Sequence, residues 1–245
     1  VLLGEPPRTQ ADLNFSLLGI PVRVHPFFWL MALLLGFRAG DAPAVIIWIV
    51  AVFVGVLFHE MGHAVTMRAY GYYPWITLYG LGGLASYDQR YGSRGGALQQ
   101  ILISLAGPGA GFLLAGLLLL GVVLAGHREG VWFSGPGNIF PLVDLPNPTV
   151  QLLIRQLLFV CIAWGILNLL PIYPLDGGQV AREIFVYLNP REGIRLSLQM
   201  SILFAGMVAV YWLFTFKTIF VPLLFGYLAY SSYQTLRFYS PPGRW

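Results

Sequence analysis

Charge is what this 245-residue chain has least of. Only 10% of its residues are Asp, Glu, Lys or Arg, while 57% are hydrophobic. An average soluble domain carries about 25% charged residues, so a water-soluble globular fold is excluded, as are a disordered chain and a coiled coil. Cysteine is nearly absent too. Cys161 stands alone, which excludes an intramolecular disulfide and any cysteine-based zinc knuckle. Lysine occurs once, at Lys217, and the arginines are scattered singly. The net charge of +4 therefore forms no basic run or face of the kind that binds phosphates, and nucleic acid is excluded as a partner. Few charges, singly placed between long apolar runs, describe an integral membrane protein whose cations flank its spans.

A transmembrane helix needs about 20 mostly apolar residues. Six segments are read this way: 26–39, 44–67, 98–125, 151–170, 197–215 and 219–236. The expected class is an all-α integral membrane protein of about six transmembrane helices in a lipid bilayer. Residues 1–25, polar and punctuated by proline, read as a cytosolic lead-in and not as a signal peptide. Residues 26–237 read as one transmembrane domain, and 238–245 as a cytosolic tail. With the N-terminus cytoplasmic, the inner segments hold Arg8, Arg23, Arg68, Arg90, Arg94, Arg182, Arg191, Arg195, Arg237 and Arg244. The outer ones hold Arg38, Arg128, Arg155 and Lys217. This positive-inside excess places both termini in the cytoplasm. Residues 71–97 alternate aromatic and small residues around Gly82-Gly83, which suits a small inner-face β-hairpin or re-entrant loop.

Against this apolar background, the second span carries His59-Glu60-Met61-Gly62-His63. Positions i and i+4 share a helix face, so both imidazoles can reach one metal ion, and Glu60 is placed to take a proton from water activated there. With four His and a handful of Glu in the chain, chance produces such a pattern about once in a thousand sequences of this composition. Ionisable groups in hydrocarbon cost on the order of 3 kcal/mol each on insertion scales, so three within five residues argue for a bound cation over an inert histidine pair. Catalytic zinc ordinarily takes a third protein ligand. His25, Asp88 and Asp176 are the candidates on the expected side of the bilayer, whereas His127 falls at the opposite end of the third span. At 1.5 Å per residue, His59 lies about 21 Å into the second span, in the inner half of the membrane.

Asp176 is marked by its surroundings, Asn168-Leu169-Leu170-Pro171-Ile172-Tyr173-Pro174-Leu175-Asp176-Gly177-Gly178. Two prolines break the helix and two glycines permit tight packing. Broken backbone at membrane depth is tolerated where it is buried in protein or lines a wet cavity. Asn168, an amide in an apolar helix, needs partners: either a helix–helix hydrogen bond or a developing oxyanion.

With HEMGH and NLLPIYPLDGG in this order, the sequence resembles the site-2 protease family of intramembrane zinc metalloproteases, which join an HExxH on one core helix to an NxxPxxxLDG stretch at the end of another. The resemblance covers about residues 44–190. Gly82-Gly83 and Ala106-Gly107-Pro108 resemble family features as well, and Gly111 stands where the family often has Asn. The resemblance implies a zinc metalloendopeptidase that cleaves within or near transmembrane segments of membrane-protein substrates. His59, His63 and Asp176 would hold one Zn2+ per chain, Glu60 would be the general base, and Asn168 would position substrate or stabilise the oxyanion. Room for a soluble recognition domain is lacking within 1–245, so recruitment is expected to rest on the membrane core or on a separate partner. The alternative is a non-catalytic membrane zinc-binding protein or a chaperone of transmembrane segments. The last two spans, with Gly206 and Gly226 as their few contact signals, are expected to form a mobile lateral gate.

Overall fold

The computed structural model describes residues 5–36, 41–80, 82–88, 95–127, 131–132, 141–216 and 219–239. Arg38, Arg90, Arg94, Arg128, Lys217 and Arg244, six of the cations used to orient the chain, lie outside the described residues, as does the tail beyond Tyr239. The described chain runs β1 (Leu13–Leu17), β2 (Ile20–Val24), α1 (Pro26–Gly36), α2 (Ala42–Ala69), β3 (Pro74–Tyr79), β4 (Gly82–Tyr87), α3 (Ala97–Leu124), β5 (Val131–Trp132), β6 (Leu142–Val143), α4 (Pro148–Asn168), α5 (Asp176–Leu188), α6 (Gly193–Phe216) and α7 (Phe220–Tyr239).

Helices stand at all six places read as spans. Among the described residues four of them, α2, α3, α4 and α6, are long and apolar enough to cross a membrane; α1 is apolar but has only 11 residues. The outward faces name the solvent. On α3, Leu98, Leu102 and Leu105, then Leu113, Leu117, Leu120 and Leu124, are exposed at helical spacing; on α6 the same holds for Leu203, Met207, Val210 and Phe214. A helix in water turns such a stripe to the core. Here the stripe faces out, so its solvent is lipid.

The expectation of an all-helical chain with a single hairpin is corrected by a four-stranded sheet in the order β1-β2-β3-β4. Residues 13–24, read as lead-in, supply two of its strands. Leu18 and Gly19 take positive φ values of 51° and 75°, the two-residue turn that matches the twist of a hairpin. In Ile20-Pro21-Val22-Arg23-Val24 the apolar side chains alternate, and Ile20, Val22 and Val24 are buried. The hairpin expected around Gly82-Gly83 is present as β3–β4, antiparallel from Pro74↔Tyr87 to Tyr79↔Gly82, and β2 pairs with β3 in parallel. Arg23 ties the preceding segment down, donating to Glu5, Asp12 and the Pro6 and Pro7 carbonyls.

The chain divides into two compact units. The first comprises Val1–Ser93 with Ala106–Gly165, the second Arg94–Leu105 with Ile166–Trp245. In the first unit, Ile20, Val22, Val24, Ile76 and Leu78 of the sheet pack with Phe28 of α1 and Val56, Met61 and Ala64 of α2. A second core joins Ala115 and Val122 of α3 to Leu158 and Cys161 of α4. In the second unit Ile172, Ala205, Phe225 and Leu228 are buried together. Gly206 and Gly226, the expected contact points of α6 and α7, both face open space; the two helices are held by Ala205, Phe225 and Leu228 instead.

Candidate metal centre

The metal-binding face begins with the length of α2. Asp41 caps its N-terminus by accepting from the Ala44 amide at 3.1 Å, and Pro43 follows in the first turn. The helix then continues unbroken for 28 residues to Ala69. His59, Glu60 and His63 are all buried, at 4–6% exposure, in an element otherwise almost wholly apolar. The two imidazoles converge: their Nε2 atoms are 3.2 Å apart and their rings stand at 79° to one another. Two nitrogens bound tetrahedrally at about 2.05 Å from one zinc ion would be about 3.3 Å apart. The pair is spaced for one ion.

Three glycines create the room around it. Gly62, between the ligand candidates, faces α3, where an ideal Cβ would overlap the Ala106 carbonyl oxygen and lie 2.7 Å from Ala110 Cβ. Only glycine lets the two helices approach this closely. Gly107 faces the imidazoles; a Cβ there would overlap His63 Nε2 and come within 2.8 Å of His59 Nε2. Pro108 follows within α3, and its missing N–H leaves the helix locally without its regular hydrogen bond. From the sheet side, Gly83 of β4 closes over Glu60, with a Cβ predicted to fall 2.7 Å from the carboxylate carbon and 2.8 Å from Oε1. Gly111 packs against α4, where a Cβ would be 3.3 Å from the Cys161 carbonyl oxygen. Close helix packing accounts for glycine at the position where Asn is frequent.

In the second unit, Asn168 is the last residue of α4 and is buried at 8% exposure. Asp176 opens α5, where a carboxylate is favoured by the helix dipole. Gly177 and Gly178 lay the first turn of α5 directly on the preceding loop: a Cβ at Gly177 would overlap the Leu169 carbonyl, and one at Gly178 the backbone of Ile172 and Tyr173. The Asp-Gly-Gly sequence is thereby explained as packing, apart from any chemistry.

The described residues bring His59, His63 and Asp176 together as a group able to hold a metal ion, one ligand atom from each lying within 4.8 Å of the others. Two imidazoles and a carboxylate are a zinc donor set, so the residues fit the metal. His25, Asp88 and His127 do not belong to this group among the described residues. His25 instead caps α1, its Nδ1 accepting from the Phe27 amide at 3.1 Å while its own amide donates to Leu78.

Residues 47–213 match the family model of peptidase family M50. The chain belongs to peptidase family M50, the site-2 proteases. A zinc metalloprotease of Methanocaldococcus jannaschii is 29% identical over 219 residues, which make up 84% of this chain and 57% of that one. Stage IV sporulation protein FB of Bacillus subtilis is 28% identical over 224 residues, 89% of this chain and 67% of the relative. A Synechocystis relative is matched over 48% of its length, so this chain spans about half of two of these M50 proteins. The solved structure of a site-2 protease from Methanocaldococcus jannaschii superposes with a TM-score of 0.59 at 20% identity, covering 96% of this chain and 99% of that one. The shared fold is that of a site-2 protease.

Proposed function

We propose that this chain is an intramembrane zinc metalloendopeptidase that hydrolyses peptide bonds within or near the transmembrane segments of membrane proteins. The observation that carries the reading is the pair of buried imidazoles 3.2 Å apart on an apolar helix, with Glu60 buried beside them. His59, His63 and Asp176 would hold the metal. Zinc bound there supplies Lewis acidity, lowering the pKa of water to about 7 and polarising the scissile carbonyl.

Glu60 accepts the proton of the attacking water at a carboxylate oxygen and returns it to the amide nitrogen as the C–N bond breaks. The Gly83 backbone over its side chain leaves that carboxylate little room to swing away. Asn168 donates from its side-chain amide to the oxygen on which charge develops. A substrate helix hides its carbonyls in its own hydrogen bonds, so a stretch has to be unwound before attack. Strand β4, at the edge of the sheet among the described residues and carrying Gly83, offers an outer backbone edge on which an extended segment is held by strand addition. Both termini are cytoplasmic in this reading, and the reaction takes place in the cytoplasmic half of the bilayer.

The test is zinc content and cleavage of a transmembrane peptide in detergent, for wild type and Glu60→Gln. Stoichiometric zinc in both, with cleavage reduced 10²- to 10⁴-fold in the variant, is expected. Equal cleavage by both would remove Glu60 from the mechanism, and absence of zinc from both would remove the site.

A further inference from the structure

The loop carrying Asp176 is anchored at one residue, through the two peptide groups that flank it. Tyr173 lies between Pro171 and Pro174, neither of which has an amide proton to offer. The Tyr173 N–H donates to Ser201 Oγ of α6 at 3.0 Å, and its carbonyl accepts from Ser232 Oγ of α7 at 3.2 Å. Both serines are buried, at 1% and 0% exposure. Serine in an apolar helix ordinarily returns its proton to a carbonyl one turn back. Ser201 does so, donating to the Ser197 carbonyl at 2.9 Å, and Thr66 and Thr235 follow the same habit. Ser232 breaks it, because its single proton goes to a backbone 59 residues away. The Ile172–Tyr173 peptide also lies directly beneath Gly178, so a shift of the Tyr173 backbone is passed to the first turn of α5, where Asp176 sits.

We propose that Ser201 and Ser232 are positioning residues: a clasp from two helices that holds the Tyr173 backbone on both sides and, through it, the orientation of Asp176. The α6–α7 pair thereby sets how well the metal site is organised, although neither serine touches the metal or substrate. The inference rests on Asp176 being a zinc ligand.

Ser201→Ala and Ser232→Ala test it, with Ser232→Thr as the conservative rescue. Gly206→Ala and Gly226→Ala, on the same helices but facing open space, are the controls. Two quantities are read on the detergent-solubilised full chain: amide exchange at Tyr173 without metal, and zinc affinity by chelator competition. Both alanine variants are expected to exchange Tyr173 about tenfold faster and to hold zinc about tenfold more weakly, as when the support of a ligand is lost. Ser232→Thr and the glycine controls should match wild type. Wild-type zinc affinity in both alanine variants, or an equal loss in the glycine controls, overturns the clasp alone. A wild-type chain that takes up no zinc overturns the metal reading and the clasp with it.

Discussion

Gly107→Ala isolates the metal site from the fold. The added methyl would sit 2.5 Å from His63 Cε1 and 2.8 Å from His59 Nε2, whereas van der Waals contact between such atoms begins near about 3.5 Å. The imidazoles must therefore retreat by about 1 Å. Zinc sites tolerate ligand displacements of about 0.2 Å, so the pair no longer converges on one ion. The atoms in the way are the tips of two side chains and not backbone, and the α2–α3 packing is preserved. Zinc affinity should fall about 100-fold, the upper end of losses from disturbed ligand support, which is about 2.8 kcal/mol. Cleavage should fall at least as far. Chelator competition in detergent measures the first and cleavage of a transmembrane peptide the second, with thermal unfolding of the metal-free chain as the check on folding. Gly116→Ala and Gly121→Ala, on the same helix with nothing near their Cβ positions, should behave as wild type. A Gly107→Ala chain that binds zinc like wild type would refute the argument that this glycine makes room for the ligands.

Three further outcomes follow from neighbouring observations. Gly62→Ala meets the Ala106 backbone, which cannot yield as an imidazole does, so it should destabilise the chain by about 1–3 kcal/mol, visible in the melting of the metal-free protein. Gly177→Ala drives a methyl into the Leu169 carbonyl and within 2.6 Å of the Leu170 oxygen; it should displace the first turn of α5 and weaken zinc binding together with stability. At the N-terminal strap, the Thr9 hydroxyl and then the Thr9 amide, joined by Arg23, hold the Asp12 carboxyl down at about 2. Because the folded value lies below the unfolded one of about 3.9, this contribution is complete above about pH 4 and is lost as pH falls through about 2. Thr9→Val should raise the Asp12 titration midpoint, read from its carboxyl carbon resonance.

The candidate metal site was legible because its residue types are ones that a membrane span excludes. His59, Glu60 and His63 in an apolar run, and Asp176 after a proline-broken helix end, stand out against hydrocarbon. Packing was legible less evenly. Gly62 acts through what it lacks, and an absent methyl leaves no trace of the neighbour it admits; Gly107 was marked by the resemblance around Ala106-Gly107-Pro108 but not by the imidazoles it faces. Ser201 and Ser232 sit in apolar helices where serine usually bonds to its own turn, so nothing local pointed to Tyr173. The strands at residues 13–24 escaped because their alternation is short and interrupted by Pro21, and because β2 finds its second neighbour only across about fifty residues. The helix α5 was hidden by the glycines that let it pack.

The parallel pairing of β2 with β3 carries a consequence for how the chain threads the bilayer. Strands bonded edge to edge share one side of the membrane, so the chain between Val24 and Pro74 has to cross an even number of times or not at all. Helix α2, with 28 residues, is about 42 Å long against a hydrocarbon core of about 30 Å, and is long enough for one passage. If α2 makes that passage, the pairing requires a second one before it, and α1 with its 11 residues measures only about 16 Å. The β2–β3 pairing thus sets a parity on membrane crossings that is independent of the hydropathy of α1, the segment read from its composition as the first span.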